Sequence, residues 1–139
     1  MNEAAEEEGV RFGAAQRAVP MALEAAGSPS KVCVIGLEKT GQAVTTALLG
    51  AGISVVAIEE RPDSRKSAIA AELERLAASS GSVVSFVSHL GESAEIDTAF
   101  FDGVGLVIPS PGVPKNSPVM QRCTNACGLA WSEVELAFR

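Results

Sequence analysis

The sequence predicts an α/β domain built on a doubly wound parallel sheet of five strands in the order 3-2-1-4-5, with helices on both faces. Three observations predict it. From Lys31 onward, short β-branched runs alternate with alanine- and leucine-rich segments of helical period, which is the pattern of βαβ units. The first run, Lys31 to Gly36 (KVCVIG), is continuous and apolar, as a strand buried on both faces of a parallel sheet must be. A turn bounded by Gly36 and Gly41 then joins it to the first helical period.

The elements follow in order. Thr40 to Ala51 places Ala43, Val44, Ala47, Leu48 and Ala51 at helical spacing, and Gly52 stands where a left-handed C-cap residue belongs. Ile53 to Ile58 is the second strand, ending in Glu59, Glu60 and Arg61. Pro62 and Asp63 open a turn into a helix from about Ser64 to Ala78, with Ile69, Leu73 and Leu76 as its inward stripe. Gly81 precedes a third strand, Val83 to Val87, and a short acidic connection with a helical turn near Asp97 to Phe101 leads to the fourth, Gly105 to Pro109. Ser117 and Pro118 make an N-cap and first-turn pair for a helix to Ala126, and Gly128 releases the chain into a fifth strand, Leu129 to Trp131. Ser132 and Glu135 form a capping box that starts one more helix, with less than two turns before Arg139. That helix either docks on the domain or continues in a longer parent chain.

Size and composition bound the function. A chain of 139 residues has room for one domain of ordinary size, burying about two-thirds of the surface of its unfolded form. Residues 1–30 differ from the rest: a cluster of Glu3, Glu6, Glu7 and Glu8, an alanine-rich stretch broken by Pro20, then Gly27 to Ser30, all of which predicts a partly mobile extension ahead of a domain at 31–139. A net charge of -6 and six aromatic residues, none of them tyrosine, argue against nucleic acid as a partner. No run approaches the ~20 apolar residues that span a bilayer, and the acidic first residues are unlike a basic signal or transit peptide, so no membrane partner and a cytoplasmic location are expected. Cys33, Cys123 and Cys127 are odd in number and lie in apolar or helical patterns, which predicts buried reduced thiols. With His89 as the sole histidine, far away in sequence, no zinc site is expected.

Ligands of open parallel sheets bind beyond the carboxyl ends of the strands, where the strand order reverses. Here that point lies between strands one and four. Gly36-Leu37-Glu38-Lys39-Thr40-Gly41 ends at a helix N-terminus, whose free N–H groups and positive dipole end favour a phosphate, with Thr40 adding a hydroxyl and Lys39 a charge. Glu38 occupies the middle glycine of the dinucleotide fingerprint G-x-G-x-x-G, where a carboxylate crowds and repels a pyrophosphate. A tight strand-to-helix turn without a ligand is the plainer alternative. Glu59 follows Gly41 at the spacing of an acid that accepts from a ribose, and equally suits a pyrimidine N–H. Ser110-Pro111-Gly112 is an elbow in which proline fixes φ and glycine reaches conformations closed to other residues, so its backbone can approach a ligand closely. No catalytic residue stands out, because His89 has no partner in view.

Gly36-Leu37-x-x-Thr40-Gly41, the acid-rich Glu59-Glu60-Arg61, the elbow Ser110-Pro111-Gly112-Val113-Pro114 and the closing Gly128-Leu129-x-x-x-Ser132-Glu133-Val134-Glu135-Leu136 keep the order and approximate spacing of one family. Over about residues 31 to 139 the chain resembles the Mur ligases of peptidoglycan synthesis, in particular the N-terminal domain of the UDP-N-acetylmuramoyl-L-alanine:D-glutamate ligases. The resemblance implies a Rossmann-like domain that holds the UDP part of a nucleotide-sugar substrate, alongside central ATPase and C-terminal domains that this chain lacks. It implies that Lys39, Thr40 and Gly41 sit at the diphosphate with Leu37 also among the substrate-binding residues, Glu59 and Glu60 at the uracil with Arg61 bordering that pocket, and Ser110, Pro111 and Gly112 on the path toward the muramoyl group. It implies no cofactor in this domain, and ATP with Mg2+ in the parent ligase. Glu38 departs from the glycine usual there, with Lys39 offsetting its charge. No G-x-x-x-x-G-K-[ST] occurs, so the chain by itself is expected to be inactive. Two rival readings are a regulatory module binding NAD or another nucleotide, and a degenerate scaffold kept for protein contacts.

Overall fold

The computed structural model describes residues 30–79, 84–114 and 116–127. Across them run β1 (Lys31–Ile35), α1 (Lys39–Gly50), β2 (Ser54–Glu59), α2 (Ser64–Ser79), β3 (Phe86–Leu90), two 3-10 turns (Ser93–Glu95 and Thr98–Phe101), β4 (Val104–Pro109) and α3 (Pro118–Cys127). The four strands pair in parallel in the order β3-β2-β1-β4, the expected order of the first four. The expected fifth strand at Leu129 to Trp131, the helix opening at Ser132 and the extension up to residue 29 lie outside the described residues.

Because side chains of a strand alternate between faces, β1 feeds two cores. Val32 and Val34 pack with Val55, Ala57, Leu106 and Ile108 beneath Val44 and Leu48 of α1 and Ala70 and Leu73 of α2. Cys33 and Ile35 pack on the opposite face with Val56, Ile58 and Val107, under Val119, Met120 and Cys123 of α3 and Phe101 of the second 3-10 turn. Helices therefore cover both faces, and burial of β1 on both sides accounts for its unbroken apolar run. Gly52 closes α1 with φ +83°, and Ser117 Oγ accepts from the Met120 N–H at 3.4 Å at the start of α3. Cys33 and Cys123 are buried and form no disulfide. The hydrogen bond with Cys33, aided by the nearby charge of Arg122, holds Cys123 below the usual thiol range against the opposing effects of burial and Glu60. The side chain of Cys127 lies outside the described residues.

Two expectations are corrected. The third strand begins at Phe86 rather than Val83, because its register is set by pairing with β2, Val55 opposite Phe86. Val83 itself lies outside the described residues. Among the described strands β3 pairs with β2 alone and leaves Val87 half exposed, so hydrophobicity does not fix its limits. In α2 the buried row is Lys66, Ala70, Leu73 and Ala77, while Leu76, expected inward, is 41% exposed. Small alanines let this row approach the sheet, and the lysine at its head is held by ionic contacts described next.

Candidate functional site

The sheet reverses direction between β1 and β4: β1 leads to α1 on one face, and β4 leads toward α3 on the other. At the carboxyl ends of these strands opens a cleft of about 440 Å3. Backbone bonds fix its floor. The Gly36 N–H donates to the Ile58 carbonyl at 2.8 Å, and the Ser110 N–H donates to the Ile35 carbonyl at 2.9 Å. Ser110 Oγ donates to the Gly36 carbonyl at 3.4 Å, so the turns after β1 and β4 meet on one rim.

Both glycines of the first turn have a packing reason. Gly36 has φ +95°, and a Cβ there would lie 2.6 Å from Ser110 Oγ. A Cβ on Gly41 would lie 1.9 Å from the Gly36 carbonyl oxygen, so only glycine lets α1 start this close over the end of β1. Gly112 departs from expectation: its φ is not positive, and a Cβ built on it meets nothing within 4 Å. Its conformational freedom is unused here; what it leaves is open space beside the elbow.

Of the residues expected at a site, Thr40, Glu59, Glu60, Arg61, Ser110, Pro111 and Gly112 line the cleft. Leu37, Lys39 and Gly41 do not. Leu37 is fully buried in the core, Gly41 is wedged between Gly36 and Ser110, and Lys39 is exposed at the first position of α1. Glu38, with extended backbone, is the N-cap of α1, yet its side chain makes no capping hydrogen bond. The first turn of α1 borders the cleft through Glu38 and Thr40.

The charges at the end of β2 are tied inward. Glu59 is 6% exposed. Its Oε1 accepts from the Leu37 N–H at 3.0 Å and its Oε2 from the Arg61 N–H at 2.9 Å. Lys66 Nζ lies 3.3 Å from Glu59 Oε1 and 3.0 Å from Glu38 Oε1, and donates to the Arg61 carbonyl at 3.0 Å. Arg65 Nη2 reaches Glu38 Oε2 at 3.2 Å. The hydrogen bond with Glu38 leads the effects that raise the Lys66 ammonium above its ordinary 10.5, outweighing burial, with Glu59 adding to them. Glu60 is exposed, and its Oε2 accepts from the Ser93 N–H at 3.4 Å. Sequence reasoning missed Lys66, since a lysine in the first turn of a helix reads as a solvated residue. The available signal was the pair of acids, Glu38 and Glu59, closing two neighbouring elements and needing a counter-charge. Val119, which also lines the cleft, was missed because nothing in its own turn marks it.

Among the described residues no group of three or more His, Cys, Asp or Glu side chains could hold a metal ion, and no described helix is long and apolar enough to cross a membrane. His89 Nε2 lies 2.8 Å from the Glu92 carbonyl oxygen, an arrangement within its own turn.

No family model matches the chain. Individual relatives do. It is 36% identical over 109 residues to the UDP-N-acetylmuramoylalanine–D-glutamate ligase of Trichlorobacter lovleyi, a match covering 78% of this chain and 22% of that protein. The ligase of the same name from Myxococcus xanthus is 37% identical over 112 residues, covering 81% of this chain and 22% of the relative. Over about four-fifths of its length the chain is thus similar to the D-glutamate ligases of the Mur family. It spans about a fifth of the length of the curated relatives it matches, consistent with an N-terminal domain of these D-glutamate ligases. Among solved structures, quinate dehydrogenase from Corynebacterium glutamicum in complex with NAD superposes with a TM-score of 0.52 at 15% identity, covering 91% of this chain and 52% of that one. This likeness is one of fold, and the fold of this domain is Rossmann-like.

Proposed function

We propose that this chain is the UDP-binding domain of a peptidoglycan-precursor ligase that adds D-glutamate to UDP-N-acetylmuramoyl-L-alanine. The observation that carries the reading is the cleft at the sheet reversal, which gathers the uncapped start of α1, the end of β2 and the Ser110-Pro111-Gly112 elbow around one space of about 440 Å3. Backbone N–H groups at the start of α1, with the Thr40 hydroxyl, suit the diphosphate, Lys39 adds positive charge from outside the cleft lining, and Gly41 brings that turn close over β1. The exposed carboxylate of Glu60, beside Arg61, is an acceptor for a pyrimidine N–H. Glu59 shapes the same pocket from within, its carboxylate holding the Leu37 and Arg61 amides in place. The open space beside Gly112 suits a bulky group leaving the diphosphate toward Val113 and Pro114. ATP and Mg2+ belong to parts of the ligase outside this chain, which carries no phosphate loop for ATP, so the chain alone binds without catalysing. Its partners on this reading are the UDP-linked substrate and the central and C-terminal domains, and its compartment is the cytoplasm.

Calorimetric or NMR titration of the 139-residue chain tests the assignment. UDP and UDP-N-acetylmuramoyl-L-alanine are expected to bind, and NAD to bind more weakly. Binding of NAD with no response to uridine nucleotides would replace the reading with a regulatory nucleotide module. Silence toward all three would leave a scaffold for protein contacts.

A further inference from the structure

We propose that Lys66 is a positioning residue for the anion seat of the cleft: it draws the Glu38 carboxylate toward α2 and so keeps it off the first turn of α1. The inference rests on the reading that the cleft takes a uridine diphosphate. It begins from a conflict in the sequence. Glu38 precedes α1 directly, where a side-chain carboxylate is attracted by the same N–H groups and the same positive dipole end that would receive a phosphate. A carboxylate folded back onto that turn would compete with the ligand for its donors.

The structure resolves the conflict through α2. Glu38 makes no capping bond, and each of its oxygens faces a cation of α2, Oε1 facing Lys66 at 3.0 Å and Oε2 facing Arg65 at 3.2 Å. The two cations differ in strength. Glu38 is 57% exposed in both pairs, but Arg65 is itself 60% exposed and screened by solvent, whereas the Lys66 side chain is 9% exposed, so its pair is sheltered from one side and less screened. Lys66 is also anchored independently of Glu38, by Glu59 and by the Arg61 carbonyl. An ammonium has three protons, and three acceptors lie within 3.3 Å of this one, so Lys66 has no donor left over for a ligand. It acts through Glu38.

The test compares the full 139-residue chain with Lys66→Met and with the double variant Lys66→Met/Glu38→Gln, titrated with UDP and with uridine at low ionic strength. Lys66→Met is expected to weaken UDP about tenfold, the scale of one charge-assisted contact, and to change uridine far less. Glu38→Gln in that background should restore most of the lost UDP affinity, because the amide no longer competes as an anion. A lysine that merely supported the fold would weaken both ligands alike and would not be rescued. Unchanged UDP binding in Lys66→Met, or no recovery in the double variant, overturns the proposal. A wild-type chain that ignores UDP removes the functional reading and this inference with it. If thermal melting shows Lys66→Met to be unfolded, Arg65→Ala takes its place: about twofold weaker UDP binding, cancelled by Glu38→Gln, supports the mechanism, and no change refutes it.

Discussion

The two walls of the cleft are built from different materials. On the side of β1 and β2 the wall is ionic: Glu38, Glu59, Lys66 and Arg65 form a chain of alternating charge, and two of the four are almost wholly buried. On the side of β4 it is covalent and conformational, a serine fixed by backbone and hydroxyl bonds and followed by proline and glycine. The ionic wall keeps its shape only while its charges balance; the other keeps its shape because φ of Pro111 is fixed. A ligand carrying negative charge thus meets one wall that responds to charge and one that does not. Departures from this contrast are measurable.

The strongest way to break it is Glu59→Ala. Removing that carboxylate strips a buried ammonium of one partner and leaves the Leu37 and Arg61 amides without their acceptor, so stability should fall by about 3 kcal/mol in urea denaturation. A loss under about 1 kcal/mol would show that the ionic wall is not a strut. Next in size is Gly41→Ala in the floor shared by both walls, where the added carbon meets a backbone oxygen that cannot turn aside. It should cost about 2 kcal/mol by the same assay, and a neutral result would mean that α1 can shift off β1 freely. The smallest effect sharpens the contrast through pH. Because Lys66 is raised in the folded state, its contribution is complete below its unfolded value near 10.5 and declines as pH rises through the higher folded value. Urea midpoints of the wild type should therefore lose more than those of Lys66→Met as pH climbs above about 10.5, and parallel curves would show that the lysine adds no pH-dependent stability.

Most of the frame was legible in the sequence because local signals agreed with the global pattern. KVCVIG, Gly52 after α1 and the Ser117-Pro118 cap each specify their element without help from distant residues. β3 was not legible in register, since its limits come from pairing with β2 and its own face is half polar. The cleft was legible in outline: seven of the ten expected residues line it, because the topology of a parallel sheet dictates where its turns converge. The ionic wall was not. Nothing in Ser64-Arg65-Lys66 distinguishes a buried lysine from a solvated one; burial arises only when α2 lays its first turn between the ends of β1 and β2. Leu37 shows the converse, a residue of the glycine-bounded turn after β1 that points into the core and contributes its amide to Glu59.

The seam where Gly41 rests on the Gly36 carbonyl has a mechanical consequence. With no space there for even one methyl group, strand and helix are already at closest approach, and the pocket cannot be reshaped by pressing one further onto the other. Accommodation of a bulkier guest falls to the connecting segments of its border, among them the span from Pro111 to Pro114, which belongs to no described helix.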